Sequence, residues 1–202
     1  MTTAVDVVLI GVLAVVWLTA GLVADGLPSA GTALAMRRRA GVLGLLVGAG
    51  ATAFVAVPLV AALMPGASTA TTAALLPAVP ALIVLTGTVR HLSWVRRGAG
   101  AFATAPLAPV PPALRAGAAH PLVAAPLQVT GLAAVAGLPL AAGLVALPGE
   151  GVPGVSTATG VAITLVAIAG VAIGVRAALR HSRLAPLVLA PLGRERVRAG
   201  VR

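Results

Sequence analysis

The stretch PGASTAT, residues 65–71, is a short polar break between two long apolar runs. A near-copy, PGVSTAT at residues 153–159, lies 88 residues later and again separates two apolar runs. Proline and glycine favour turns, and the Ser and Thr hydroxyls can cap the helix that follows. We therefore interpret both stretches as tight turns between membrane-spanning helices, on the same side of a bilayer.

The composition indicates a membrane protein. Hydrophobic residues make up 59% of the 202 residues and charged residues only 9%, against about 45–50% and about 25% in soluble domains. A coding bias toward Ala, Gly, Val, Pro and Arg would explain the composition, but it would scatter the arginines. They lie instead between the apolar runs, as in multi-pass membrane proteins.

The hydropathy pattern predicts an all-α integral membrane protein, a single bundle of about five transmembrane helices. We expect these helices at about residues 5–24, 40–64, 73–89, 122–147 and 155–178. Proline-rich residues 98–121 are expected to form an extended or polyproline-like cytoplasmic loop, and residues 184–202 a basic tail. The alternative reading of the first segment, a cleaved signal peptide, lacks the basic residues that should precede it.

The charges predict the orientation of the bundle. Net charge is +10, with 14 basic residues, all arginine, against four acids. The arginines cluster at residues 37–39, 90–115 and 176–202. By the positive-inside rule we expect the N-terminus outside and the C-terminus in the cytoplasm. We also expect the protein in the cell (plasma) membrane.

The basic residues beside the apolar runs are candidates for contact with anionic lipid headgroups. A tryptophan beside arginines is typical of the membrane interface, where its ring lies at headgroup level. The candidate interface residues are Arg37, Arg38, Arg39, Arg90, His91, Trp94, Arg96, Arg97, Arg180, His181 and Arg183. Arg-His pairs could also cap helix C-termini, where cations are favoured. Nucleic acid is not expected as a partner, because base-stacking aromatic residues are almost absent.

No catalytic residue, metal site or cofactor is predicted. The chain has no cysteine, no Gly-x-Ser-x-Gly motif and no phosphate-binding glycine loop. Its acids are placed at helix ends or in loops, which argues against a proton-coupled transporter. Its three histidines, His91, His120 and His181, are expected at helix ends with no metal-ligand spacing.

Two features are candidates for contacts inside the membrane. Gln128 is the most polar residue expected at membrane depth, and we expect it to hydrogen-bond across helices. The pairs Gly44/Gly48 and Gly170/Gly174 have the small-xxx-small spacing that lets another helix approach closely. They could pack helices of this chain, other membrane subunits or a second copy.

The two turns could belong to a duplicated helical hairpin. A Val57-Pro-Leu59 segment precedes the first turn and Leu138-Pro-Leu140 precedes the second. Arg90-His91 follows the first hairpin and Arg180-His181 the second. Both copies would have one orientation, giving a parallel repeat.

Three functions remain open from the sequence. The leading hypothesis is a non-enzymatic accessory or scaffold subunit of a membrane complex. The second is a small transporter or channel for a neutral or apolar solute, with a path near Gln128, Thr130, Thr52 and Thr86. The third is a membrane enzyme that acts on lipid headgroups through the Arg and His residues.

Overall fold

The described residues form an all-helical architecture, with five helices long and apolar enough to cross a membrane. A computed structural model describes residues 2–64, 68–105, 107–144, 164–184 and 186. The candidate spans are Thr3–Ser29, Ala33–Leu63, Ala78–Phe102, Pro112–Ala141 and Thr164–Leu184. The structure thus confirms the helical class and the five apolar helices, which indicate a membrane-embedded protein.

Eight α-helices and two other helical segments make up these spans and their connections. They are α1 (Thr2–Asp25), a 3-10 turn (Leu27–Ser29), α2 (Ala33–Leu63), α3 (Ala70–Leu75), α4 (Ala78–Ile83), a π segment (Val84–Thr88), α5 (Val89–Phe102), α6 (Pro112–Ala118), α7 (Pro121–Ala141) and α8 (Thr164–Leu184).

Helix α1 is the centre of the bundle and packs against α7 and α2. Glycines allow both approaches. A Cβ built on Gly131 of α7 would lie 2.9 Å from the backbone N of Leu18, and one on Gly50 of α2 would lie 2.8 Å from the Trp17 ring. Because real Cβ atoms do not come this close, only glycine permits these contacts.

The predicted glycine pairs do not make the helix contacts of the described bundle. A Cβ on Gly44, Gly48 or Gly174 would meet no atom within 4 Å, and one on Gly170 would meet only a Val129 side chain. The sequence spacing shows that α2 has a face of small residues, but it does not show which face of α2 packs against α1.

Helix α2 begins before the predicted residue 40 and contains the arginine triplet. Thr32 is its N-cap, and the Thr32 side chain accepts a hydrogen bond from the Ala35 amide at 3.2 Å. The third span also differs from the predicted 73–89. The short helix α3 precedes this span, which itself starts at Ala78 and continues through the arginines to Phe102.

Two parts of the expected extended loop at residues 98–121 are helical, so that prediction is wrong for residues 98–102 and 112–118. Pro112 occupies the first turn of α6, where its missing N–H costs nothing. Leu114 packs onto Gly98, and the Trp94 ring lies over Gly117. These contacts fold the proline-rich segment back onto α5.

Helix α7 ends earlier than the predicted residue 147 because Gly143 adopts a left-handed conformation, with φ of 67°. The Leu144 amide donates to the Pro139 carbonyl at 2.9 Å, and the Gly143 amide donates to Leu140 at 3.0 Å. This pair of bonds is the Schellman motif that terminates helices. Residues 145–147, and residues 155–163 of the fifth predicted helix, lie outside the described residues; α8 itself continues beyond residue 178 to Leu184.

A polar cluster closes one end of the bundle. The buried Asp6 carboxylate accepts hydrogen bonds from Ser68 Oγ at 2.8 Å and from the Thr69 amide at 2.9 Å. Thr69 Oγ1 lies 3.2 Å from both Asp6 Oδ2 and the Ala141 carbonyl. The turn after α2 is thus attached to α1 and α7, whereas residues 65–67 and the second turn at 153–159 lie outside the described residues.

Candidate anion-binding site

The ten described arginines lie at the end of the bundle opposite Asp6, which we call the basic end. Side-chain contacts bring its elements together. Arg39 of α2 reaches the Gly26 carbonyl after α1, His91 of α5 reaches the Gly117 carbonyl of α6, and Arg176 of α8 reaches Asp25. The basic end therefore combines the C-terminus of α1, the N-terminus of α2, α5, α6 and the C-terminal part of α8.

The three arginines of the triplet have different surroundings. Arg39 Nη1 donates to the Gly26 carbonyl at 2.8 Å and to Ser29 Oγ at 3.2 Å, so it caps the C-terminal end of α1. Arg37 lines a groove between α2 and α5. Arg38 is exposed.

We call the space between α2 and α5 the α2–α5 groove; its volume is about 560 Å³. Its lining is Arg37, Ala40, Gly44, Val89, Leu92, Ser93, Arg96, Arg97 and Gly100. Three cations therefore surround one groove, and no ion pair to them occurs among the described residues. Aliphatic and glycine positions form the remainder of the groove.

A second concavity, the α6–α8 cavity, lies between the end of α1, α6, the start of α7 and α8. Its volume is about 310 Å³. Its polar lining consists of Asp25, Ser29, Arg115, His120, Gln128, Arg176, Arg180 and Arg183. The walls are otherwise alanine, proline, isoleucine and leucine.

Asp25 holds α8 against α1 at this cavity. Arg176 Nη2 donates to Asp25 Oδ2 at 2.7 Å, and Arg180 Nη1 contacts the other carboxylate oxygen. Because Arg176 is 63% exposed, each pair stabilises the fold by only about 0–1 kcal/mol. Its main consequence is geometric: both Asp25 oxygens are occupied.

Arg115 has one buried N–H group. Its Nε is buried and has no hydrogen-bond partner among the described residues. A buried N–H without an acceptor is unfavourable, and native proteins rarely leave one without a reason.

Three histidines that are distant in sequence form one cluster. The His91 and His120 rings stack with centroids 4.7 Å apart, and His181 meets His120 edge-on at 5.1 Å. His91 Nε2 lies 2.9 Å from the Gly117 carbonyl and His181 Nδ1 lies 3.2 Å from the Ala116 carbonyl. The two flanking histidines thus contact carbonyls in the last turn of α6.

The third histidine begins the next helix. His120 is the N-cap of α7, and its Nδ1 accepts a hydrogen bond from the Leu122 amide at 3.2 Å. This bond requires Nδ1 without a proton. No group of three His, Cys, Asp or Glu residues in the described part of the chain could hold a metal ion.

Gln128 lines the α6–α8 cavity about two turns into α7. Its Cγ and backbone pack against Gly21, where a Cβ would lie 2.8 Å from Cγ. The expected interhelical hydrogen bond of its amide is absent among the described residues. The remaining residues of the hypothetical solute path are placed differently: Thr130 is buried, and Thr52 and Thr86 are exposed.

Of the other candidate interface residues, Arg90 is exposed, Trp94 is 47% exposed above Gly117, and Arg183 lines the α6–α8 cavity. Sequence reasoning missed Arg115 and Asp25 as site residues. Both lie in segments that it treated as loops or helix ends, so their convergence depends on the folding of α6.

Comparisons with known proteins supply no relative. No protein-family model matches the chain, and neither a curated protein nor a solved structure is significantly similar to it. The geometry at the basic end is therefore the basis for any functional conclusion.

Proposed function

We propose that this chain is a non-enzymatic, multi-pass membrane protein, an accessory or scaffold subunit that holds anionic lipid in the α2–α5 groove. One observation carries the proposal. Arg37, Arg96 and Arg97 surround a groove whose other surfaces are small or aliphatic, with no acid among the described residues of its lining.

The groove matches both parts of a phospholipid: its arginines lie at headgroup level, and its apolar residues lie deeper, at the level of the acyl chains. Long arginine side chains extend toward the headgroup region while their stems cover apolar surface. The exposed Val89 side chain then offers apolar surface to an acyl chain. An arginine fork is well suited to phosphate because it can donate two parallel hydrogen bonds.

The proposed topology has the N-terminus outside and the basic end on the cytoplasmic face of the plasma membrane. Its support is the gathering of the described arginines at one end, which matches the positive-inside rule. Reporter fusions test it: a reporter in the 65–71 turn should be external, and a cytoplasmic signal would contradict the proposal.

The proposal also includes a parallel hairpin repeat. Its support is that His91 and His181 both contact last-turn carbonyls of α6. Ser93 and Ser182 each donate to the carbonyl three residues earlier.

The site favours a binding role over the two alternatives. An enzyme acting on headgroups needs a histidine beside a nucleophile or an acid. In the described residues, His91 and His181 face backbone carbonyls instead. A solute path would need polar groups facing one lumen, but the hydroxyls of Thr52, Thr86 and Thr130 donate to carbonyls of their own helical turns.

The scaffold role requires an external surface for another membrane helix. Gly44 and Gly48 provide one, because an added Cβ at either position meets nothing in the described chain. A larger membrane protein, or a second copy of this one, should therefore co-purify in mild detergent. A stable monomer under those conditions would contradict the scaffold role.

The lipid proposal is tested with two matched double variants, each with one change in α2 and one in α5. Arg37→Gln/Arg96→Gln removes two groove cations, whereas Arg38→Gln/Arg90→Gln removes two exposed cations that do not line the groove. At about 1 kcal/mol for each arginine near an anionic surface, the groove variant should bind anionic lipid at least about tenfold more weakly.

Native mass spectrometry provides the measurement, on protein released from phosphatidylcholine nanodiscs with or without phosphatidylglycerol. Wild type and the Arg38/Arg90 variant should retain phosphatidylglycerol, and the groove variant should lose it. Equal loss in the two double variants would show only general attraction between charges and would overturn the groove assignment.

A further inference from the structure

We propose that the α6–α8 cavity binds a phosphate group through Arg115 and Arg183, as a ligand site separate from the α2–α5 groove. The phosphate can belong to a membrane lipid or to a small soluble phosphomonoester. The inference goes beyond the lipid-holding function because the two sites share no lining residue.

The charges at the cavity are unbalanced. Four arginines line it, and Asp25 is the only carboxylate among its lining residues. Both Asp25 oxygens are occupied by Arg176 and Arg180. Arg115 and Arg183 therefore have no carboxylate partner in the described part of the chain, and an anion would supply one.

Arg115 is held at the wall of the cavity. Its Nε is buried without a hydrogen bond, whereas the side chain as a whole lines the cavity. The buried Nε is out of reach of a ligand, so a phosphate oxygen would be bound by the terminal Nη groups of Arg115. Bidentate hydrogen bonds to phosphate are the interaction for which guanidinium geometry is best suited.

The size and depth of the cavity define the ligand class. About 310 Å³ lies at the lower limit of the roughly 300–1,000 Å³ of small-molecule sites, so the ligand part inside is compact. Gln128 lies at the deeper side, and its amide lacks a hydrogen bond among the described residues. It offers both a donor and an acceptor to a polar group attached to the phosphate.

The apolar part of the lining accommodates the remainder of such a ligand. Ile173 and Leu184 of α8 are partly exposed apolar side chains of this lining. A lipid phosphate would place its glycerol and upper acyl carbons against them, whereas a soluble phosphomonoester would not use these apolar contacts.

The test uses the full-length chain carrying Arg37→Gln/Arg96→Gln, so that binding in the groove is weakened. Isothermal titration in neutral detergent measures binding of two probes: inorganic phosphate and short-chain phosphatidic acid. Binding of both probes indicates a phosphate site open to soluble ligands, and binding of phosphatidic acid alone indicates a lipid source. Either result supports the proposal, and absence of binding by both probes overturns it.

The residues are tested by substitution in the same background. Arg115→Gln or Arg183→Gln should weaken binding about tenfold, because each removes a charge-assisted hydrogen bond. Arg115→Lys keeps the charge and should weaken binding less. Because Arg183 is exposed, its variant should fold even if Arg115→Gln does not. Arg38→Gln is the matched control, and an equal effect of this control would overturn the assignment.

Discussion

The Thr88 hydroxyl donates a 2.6 Å hydrogen bond to the Leu122 carbonyl of α7. In a regular helix the amide of residue 126 would donate to this carbonyl, but Pro126 has no N–H. Thr88 is fully buried at the end of the π segment, which turns its side chain toward α7. Thr88 of the third span thus supplies the hydrogen-bond donor that Pro126 of the fourth span lacks.

Thr88→Val should lower the free energy of unfolding by about 1–2 kcal/mol, since it keeps the shape and removes the donor. Thr88→Ser should lose less than half of that amount. Reversible denaturation in mixed micelles provides the measurement. In a Pro126→Ala background the Leu122 carbonyl regains its own N–H, so the cost of Thr88→Val should fall; an unchanged cost would contradict the compensation.

Asp6→Ala should lower the free energy of unfolding by about 2–3 kcal/mol, because a carboxylate with several hydrogen bonds joins α1 to the turn before α3. Asp6→Asn keeps an acceptor for the Thr69 amide and should cost less. Thr3→Ala, an exposed change one turn earlier in the same helix, should be neutral. Equal stability of Asp6→Ala and Thr3→Ala would show that the cluster contributes nothing.

His120→Ala should destabilise the start of α7 by about 1 kcal/mol, whereas His120→Asn should retain most of the stability. The reason is that the His120 side chain accepts from the Leu122 amide as an N-cap, and asparagine is a favourable N-cap residue. Hydrogen exchange of amides in the first turn of α7 measures the effect. Identical exchange in the two variants would rule out capping.

Gly131→Ala and Gly48→Ala each add one methyl group, the first at a close helix–helix contact and the second on an open helix face. A Cβ at residue 131 would lie 2.9 Å from the Leu18 backbone N, whereas one at residue 48 meets nothing within 4 Å. Gly131→Ala should therefore lower the melting temperature. Gly48→Ala should leave it unchanged or raise it, since alanine favours helix by up to about 1 kcal/mol. Thermal unfolding followed by circular dichroism decides between these outcomes.

The five apolar helices could be predicted because bilayer thickness sets their length and apolar character. Which residues face inward could not be predicted in the same way. Gly44 and Gly48 have the expected spacing, but Gly131 and Gly50 make the close contacts. With apolar residues on every side of a helix, hydropathy does not distinguish a lipid-facing surface from a protein-facing one.

The candidate site was predictable by residue type but not by geometry. Most of the arginines that line the groove and the cavity were candidates from the sequence, but Arg115 and Arg176 were not. The cavity depends on α6, a short helix within a stretch whose prolines predicted extended chain. Once Pro112 starts that helix, Arg115 faces the cavity and the α6 carbonyls reach His91 and His181. Local sequence did not contain this information because the contacts that fold α6 come from α5 and α8.

The ion pair between Asp25 and Arg176 joins residues 151 positions apart. During synthesis, Asp25 is made early and stays without these partners until α8 follows. The α6–α8 cavity is consequently the last part of the described bundle to assemble, and a nascent chain that stops before α8 would contain the earlier helices yet lack one wall of the cavity.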